Sequence, residues 1–284
     1  MRKTGLILLR DITKNRHSVV RKQFDHLLDG DKMKSASPYF RNDLFIKEDI
    51  AEEIARIYGY NNIPSTTFKG FAESQLTPIQ KFTDKILSTM ISLGCYEIST
   101  YSFISPRYFD KINLPEVSAL RHTVKIANPL GEDTSIMRTT LIPSMLEILS
   151  RNYNNRNEAA KLFEVGKEYT PTAPDRLPEE LLRLTIGLYG DNADFYELKG
   201  IITALLDYLG IDDYELVRCH ENCSFDEASA FHPGRSAVII KNGTAFGIFG
   251  EVHPSVADNY EIGVRTYVAK LNIPEMMELA KTEI

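Results

Sequence analysis

Two runs with apolar residues in alternation, "SAVIIK" and "TAFGIFGEV", meet at Asn242-Gly243. That dipeptide between such runs is the strongest short-range signal for a two-residue hairpin, because both central residues of the turn must take positive φ. It fixes an antiparallel strand pair and therefore demands a sheet. Further strands are predicted at "CYEISTYSFI", "TVKIANP", "KLFEVGKEY", "LRLTIGLYG" and "RTYVAKLN", each a short β-branched or aromatic run bounded by turn residues. Helical periodicity falls between them. Thr77-Pro78 supplies an N-cap followed by proline in the first turn, with Phe82, Ile86, Met90 and Leu93 on the inner face. "LIPSMLEILSRNYNNR" puts Met145, Ile148 and Leu149 inward, Asp194 and Gly210 bracket a third helix, and "IPEMMELAK" is a fourth. Hairpin strands with helices between groups of them predict an α+β fold, an antiparallel sheet flanked by helices.

The segment "DLFIKEDIAEEIARIYGYNNIP", from Asp43 to Pro64, reads as one amphipathic helix. Ile50, Ile54, Ile57 and Tyr58 form its apolar stripe, Gly59 suits its C-terminal cap and Pro64 stops it. Before it, "SVVRKQFDHLL" is compatible with a short helix, and "DGDKMKSASPYF" with a turn and an extended stretch that Pro38 keeps out of a helix. Charge divides the chain here. Residues 1–41 hold ten Lys/Arg against four Asp/Glu, whereas the whole chain has a net charge of −6. An acidic body argues against broad nucleic-acid binding through its surface field and leaves the basic N-terminal arm as the one place for such a contact, or as a plain tail. No apolar run approaches a membrane span, and no membrane partner is expected. The three cysteines, Cys95, Cys219 and Cys223, have no framework spacing and suit a reducing cytoplasm.

Four acids gather around the start of the Asp43–Pro64 helix. Asp49, Glu52 and Glu53 stand at i, i+3 and i+4 and share a face, and Asp43 is placed to fold back over the helix start. Hard oxygen donors in this arrangement suit magnesium. Acids also interact favourably with the positive end of a helix dipole, and spacing alone leaves both readings open. "CHENC" offers Cys219, His220 and Cys223, one ligand short of structural zinc, and reads as a loop. In "AFHPGRSA", His232 and Arg235 are predicted in a turn; Arg235 could hold an anion or pair a local acid. The glycines of "GIFGEVHP" fall inside a strand and lack the strand–loop–helix context of a phosphate cradle. No catalytic residue emerges.

"RNDLFIKEDIAEEIARIYGYNNIP" resembles the β chain of bacterial phenylalanyl-tRNA synthetase at the end of its small helical domain. The likeness continues in order through "NPLGEDTSIMRTTLIPSMLEILSRNYNN", "KLFEVGKEY", "DFYELKGIITALLDYLG", "FHPGRSA" and "GIFGEVHP", covering about residues 38–284. The resemblance implies a class II aminoacyl-tRNA synthetase-like core at 65–284, preceded by a remnant of the small helical domain with its basic arm at 1–64. In that family an aspartate, a second six residues on, and a Glu-Glu pair three and four residues later bind magnesium shared with the α chain. Asp43, Asp49, Glu52 and Glu53 match that pattern.

The same resemblance implies no catalysis by this chain and no cofactor other than magnesium. Class II cores grip ATP with one Arg in a strand and another in a glycine-rich strand–helix segment; "KLFEVG" offers Glu164 where the first is wanted, and "GIFGEVHP" shows no Arg. A carboxylate facing a triphosphate repels it. The implied role is to dock the catalytic α chain of phenylalanine–tRNA ligase, in an α2β2 assembly that attaches phenylalanine to tRNA(Phe) using ATP in the cytoplasm. The family's tRNA-binding, editing and anticodon-binding domains do not fit in 284 residues, so a fragment or a truncated paralogue is expected. The alternative is a free-standing paralogue that binds an amino acid or nucleotide as a regulatory module.

Overall fold

Strand register and helix caps come from a computed structural model, which describes residues 25–29, 32–36, 39–67, 70, 74–173, 176–219 and 223–281. The chain divides by its contacts into two compact units, 1–73 and 74–284. The break lies beyond the boundary expected after residue 64.

In the first unit, β1 (Asp25–Asp29) and β2 (Lys32–Ala36) form an antiparallel pair, with Asp25 opposite Ala36. The helix expected over residues 18–28 is therefore replaced by strand from Asp25 onward, and residues 18–24, like most of the basic arm, lie outside the described residues. Helix α1 runs Lys47–Tyr58, starting four residues after Asp43 rather than at it. Its start is fixed by Asp49, whose Oδ2 accepts from the amides of Phe45 and Ile46 at 2.8 and 3.0 Å. It ends at Gly59, where φ is 93°.

The second unit contributes α2 (Pro78–Ser92), β3 (Tyr96–Glu97), β4 (Phe103–Ile104), α3 (Arg107–Lys111), β5 (Ile136–Met137), α4 (Ile142–Asn154), β6 (Ala160–Thr170) and β7 (Glu179–Tyr189). Then follow α5 (Phe195–Tyr208), β8 (Glu215–Arg218), β9 (Phe231–Lys241), β10 (Thr244–Val252), α6 (Pro254–Asn259), β11 (Thr266–Asn272) and α7 (Ile273–Leu279). Seven strands form one sheet in the order β3-β6-β7-β11-β10-β9-β8. All its pairs are antiparallel except β3 with β6. The β9–β10 hairpin turns on Asn242 and Gly243 with φ of 53° and 79°, the pair of positive values a type I′ turn requires. Thr77 caps α2 together with Gln80, and Asp194 caps α5 through the amide of Glu197 at 2.7 Å.

Strand alternation sends successive side chains to opposite faces, and helices cover both. One core joins Phe163, Ile186, Ile239 and Phe246 of the sheet to α2, α5 and α7. The other joins Leu162, Val238, Ile248 and Val268 to α3, α4 and α6. Two expected strands are much reduced. "CYEISTYSFI" yields only β3 and β4, and "TVKIANP" makes a single bridge from Lys125 to Ile136. Strand β3 is the edge strand of the seven-stranded sheet, and β4 and Lys125 meet only the two-residue β5, so neither run has the partners to complete a ladder.

Gly250 shows why a glycine-rich strand need not bind anything. A Cβ there would stand 2.5 Å from the Arg235 carbonyl oxygen and 2.6 Å from the Ser236 Cα. The glycine lets β9 and β10 approach at a register shift between Gly250 and Val252.

Candidate functional site

The acidic cluster takes its shape from Arg41. This residue precedes α1, and its guanidinium turns onto Asp43, with Nε donating to Oδ1 at 2.9 Å and Nη2 to Oδ2 at 2.6 Å. The same Nη2 donates to Glu53 Oε1 at 2.9 Å. Arg56, one helical turn on, takes the other oxygen of Glu53, Nη2 to Oε2 at 2.5 Å. These hydrogen bonds hold the carboxyl groups of Asp43 and Glu53 below the usual carboxylate range, through Arg41 first and, for Glu53, Arg56 next. Asp49 spends Oδ2 on the helix start, and Glu52 is exposed.

Of the four residues expected to bind metal, Asp43 and Glu53 thus converge on one cation, a guanidinium, while Asp49 holds the helix start and Glu52 is exposed. Among the described residues no three Asp, Glu, His or Cys side chains are grouped closely enough to hold a metal ion. As they stand, the four carboxylates do not form a metal cage by themselves. Arg56 was legible at i+3 from Glu53; Arg41 was not, because a loop residue has no periodicity to announce its direction.

Two further charged groups lie on the sheet face shared with Leu162 and Val268. Glu164 is 3% exposed and is held by the side chain of Thr100 at 2.7 Å, the amide of Thr100 at 3.2 Å and Arg138 Nη2 at 3.2 Å. Arg138 also donates to Thr100 Oγ1 at 2.7 Å and to the Lys167 carbonyl at 2.9 Å. Farther along β6, Glu168 accepts from the Leu141 amide at 3.0 Å and from Arg183 Nε at 3.2 Å, with Lys270 Nζ at 3.6 Å. Lys270 in turn donates to Glu227. Burial pushes the Glu168 carboxyl up; it also works against the Lys270 ammonium, but Glu168 and Glu227 outweigh it and hold that group above its usual range.

Glu164, expected as a carboxylate where an ATP-binding core wants an Arg, is buried. It is enclosed, with its own cation. Arg235 pairs with Glu251, Nε to Oε2 at 2.6 Å, and lies inside β9 rather than in a turn. Cys219 and Cys223 are disulfide-bonded, contrary to the expectation of unpaired thiols; their Cα atoms are 5.4 Å apart, within the normal range for a bridge. His220 lies outside the described residues.

A family model described as the phenylalanyl tRNA synthetase beta chain CLM domain matches residues 63–273. The chain belongs to the phenylalanyl-tRNA synthetase β chain family. A second family model, the tRNA synthetase B5 domain, matches residues 17–60, the stretch that contains the β1–β2 hairpin and all of α1.

Among β chain relatives, the phenylalanine–tRNA ligase beta subunit of Clostridium acetobutylicum is 48% identical over 251 residues, 88% of this chain and 31% of the relative. That of Clostridium tetani is 45% identical over 258 residues, 90% of this chain and 32% of the relative. The chain thus spans about a third of the length of the relatives it matches. In three dimensions it is similar to Desulfitobacterium hafniense PylSc, a pyrrolysyl tRNA synthetase, with a TM-score of 0.54 and 13% identity, covering 71% of this chain and 70% of that one. This likeness is one of fold. Among the described residues no helix is long and apolar enough to cross a membrane.

Proposed function

We propose that this β chain portion is a non-catalytic, synthetase-like subunit component of phenylalanine–tRNA ligase. It docks the catalytic α chain in an α2β2 assembly in the cytoplasm and so supports ATP-dependent attachment of phenylalanine to tRNA(Phe). The observation that carries the non-catalytic part is the closed charge pairing on the sheet face. Adenylation concentrates negative charge on phosphate oxygens and needs cations aimed at them. Arg138, Arg183 and Lys270 are all buried, and each already faces a carboxylate, Glu164, Glu168, or Glu168 with Glu227. Withdrawing any of them to serve a nucleotide strands a buried carboxylate.

Asp43, Asp49, Glu52 and Glu53 are this chain's proposed share of a magnesium site completed by the α chain. Support comes from the donor chemistry, four hard oxygen ligands, and from the convergence of Asp43 and Glu53 on one positive charge. Residues 1–64 and 65–284 are the proposed functional divisions, the first carrying the acidic cluster and the second the synthetase-like core.

Phenylalanine-dependent ATP–pyrophosphate exchange tests the central step. The chain alone should exchange no faster than a blank, and neither ATP nor phenylalanine should raise its melting temperature. Exchange by the chain alone would overturn the reading, and thermal stabilisation by either ligand would favour a free-standing binding module.

A further inference from the structure

We infer that Arg41 is a built-in counter-cation: it holds Asp43 and Glu53 where a divalent ion would, and a metal reaches these carboxylates only by displacing it. The inference rests on the proposed reading of the four acids as metal ligands, and it arises where the structure departs from a simple cage. All four carboxylate oxygens of Asp43 and Glu53 accept from a guanidinium. Arg41 takes both oxygens of Asp43 and Oε1 of Glu53, and Arg56 takes Oε2. Magnesium demands near-octahedral oxygen geometry at about 2.0–2.1 Å. A planar fork of N–H donors cannot share the same lone pairs with it.

The arrangement also explains how the chain tolerates its acids before a metal arrives. Asp43, Glu48, Asp49, Glu52 and Glu53 fall within eleven residues. Mutual repulsion would push Asp43 away from α1 unless a cation bridged them. Arg41 supplies that bridge from within the chain, with its side chain only 25% exposed, and so keeps Asp43 docked near Glu53. Divalent metal and guanidinium then compete for one preformed pair of carboxylates. A partner that offers Arg41 a new acceptor shifts that competition toward the metal.

Manganese serves as the probe, its binding read from loss of the free-ion paramagnetic resonance signal. Arg41→Met should bind manganese about two- to fivefold more tightly than the wild-type chain, the range set by a partly exposed, two-pronged ion pair. Arg41→Lys, which keeps the charge but loses the fork, should fall between. Adding Asp43→Asn and Glu53→Gln to Arg41→Met should abolish the gain. Equal affinity of wild type and Arg41→Met overturns the inference. If Asp43→Asn removes manganese binding from the wild-type chain while Arg41→Met changes nothing, the metal reading survives and the counter-cation inference alone fails. Absence of binding in every folded variant sinks both. A measurement on the unaltered chain guards against misfolding: as magnesium saturates, the Arg41 Nε–H resonance should shift, and a resonance unmoved while metal binds contradicts the displacement.

Discussion

Lys270 stands on β11 between Glu168 and Glu227, with all three side chains buried. Lys270→Met leaves two carboxylates enclosed without their ammonium, and the expected loss is about 3–5 kcal/mol of unfolding free energy in urea titration. The penalty should depend on pH in a defined direction. Burial already holds the folded-state pKa of Glu168 above the ordinary 4.5, and loss of the Lys270 ammonium, which lowers it, raises it further, so the folded variant binds more protons than the unfolded chain. Its stability should therefore fall as pH rises from about 4.5, and the gap from wild type should be wider at pH 7 than at pH 5. Cys95 gives a second prediction. Burial pushes its thiol up to about 11, so a thiol reagent at pH 8 should label it in urea and leave it unlabelled in the folded chain. Little of this was legible beforehand. The sequence marked Glu164 as a carboxylate where a nucleotide-binding core wants a cation. It carried no sign of Arg138 or Thr100, which meet Glu164 across sequence separations of 26 and 64 residues. Side-chain pairing over such distances is decided by strand register, not by local pattern.

Elements with their own punctuation were readable. The Asn242-Gly243 hairpin and the Thr77-capped α2 formed where expected because turn and cap chemistry act within a few residues. Rim segments were not. Alternation in "CYEISTYSFI" predicts a strand, but a strand also needs a neighbour, and only its two ends find one, Tyr96–Glu97 in parallel with β6 and Phe103–Ile104 antiparallel with β5. Strand β8 went unpredicted, since Glu215–Arg218 is held only by β9 at the sheet edge. Two substitutions probe elements directly. Thr77→Ala removes the acceptor for the Gln80 amide and the Gln80 side-chain partner, with an expected loss of about 1 kcal/mol by chemical denaturation. Gly250→Ala drives a methyl into the Arg235–Ser236 backbone, where no side chain can move aside. It should cost about 1–3 kcal/mol, with amide exchange speeding up first along β9 and β10.

At the scale of the whole molecule, two units divide the chain, one bearing the acidic cluster and one the sheet whose charged face is closed. Family membership and fold were both in the sequence, carried by long ordered motifs. The cation at the acidic cluster was not, because acids at a helix start look alike whether they meet a dipole, a metal or an arginine. The central claim is that this chain is a docking partner and not a catalyst. Light scattering after size exclusion, on the chain alone and mixed with the catalytic α chain, with magnesium or with a chelator, tests it most directly. A magnesium-dependent complex that is lost in Glu52→Ala/Glu53→Ala is the predicted result. A chain that elutes apart from the α chain under every condition would contradict it.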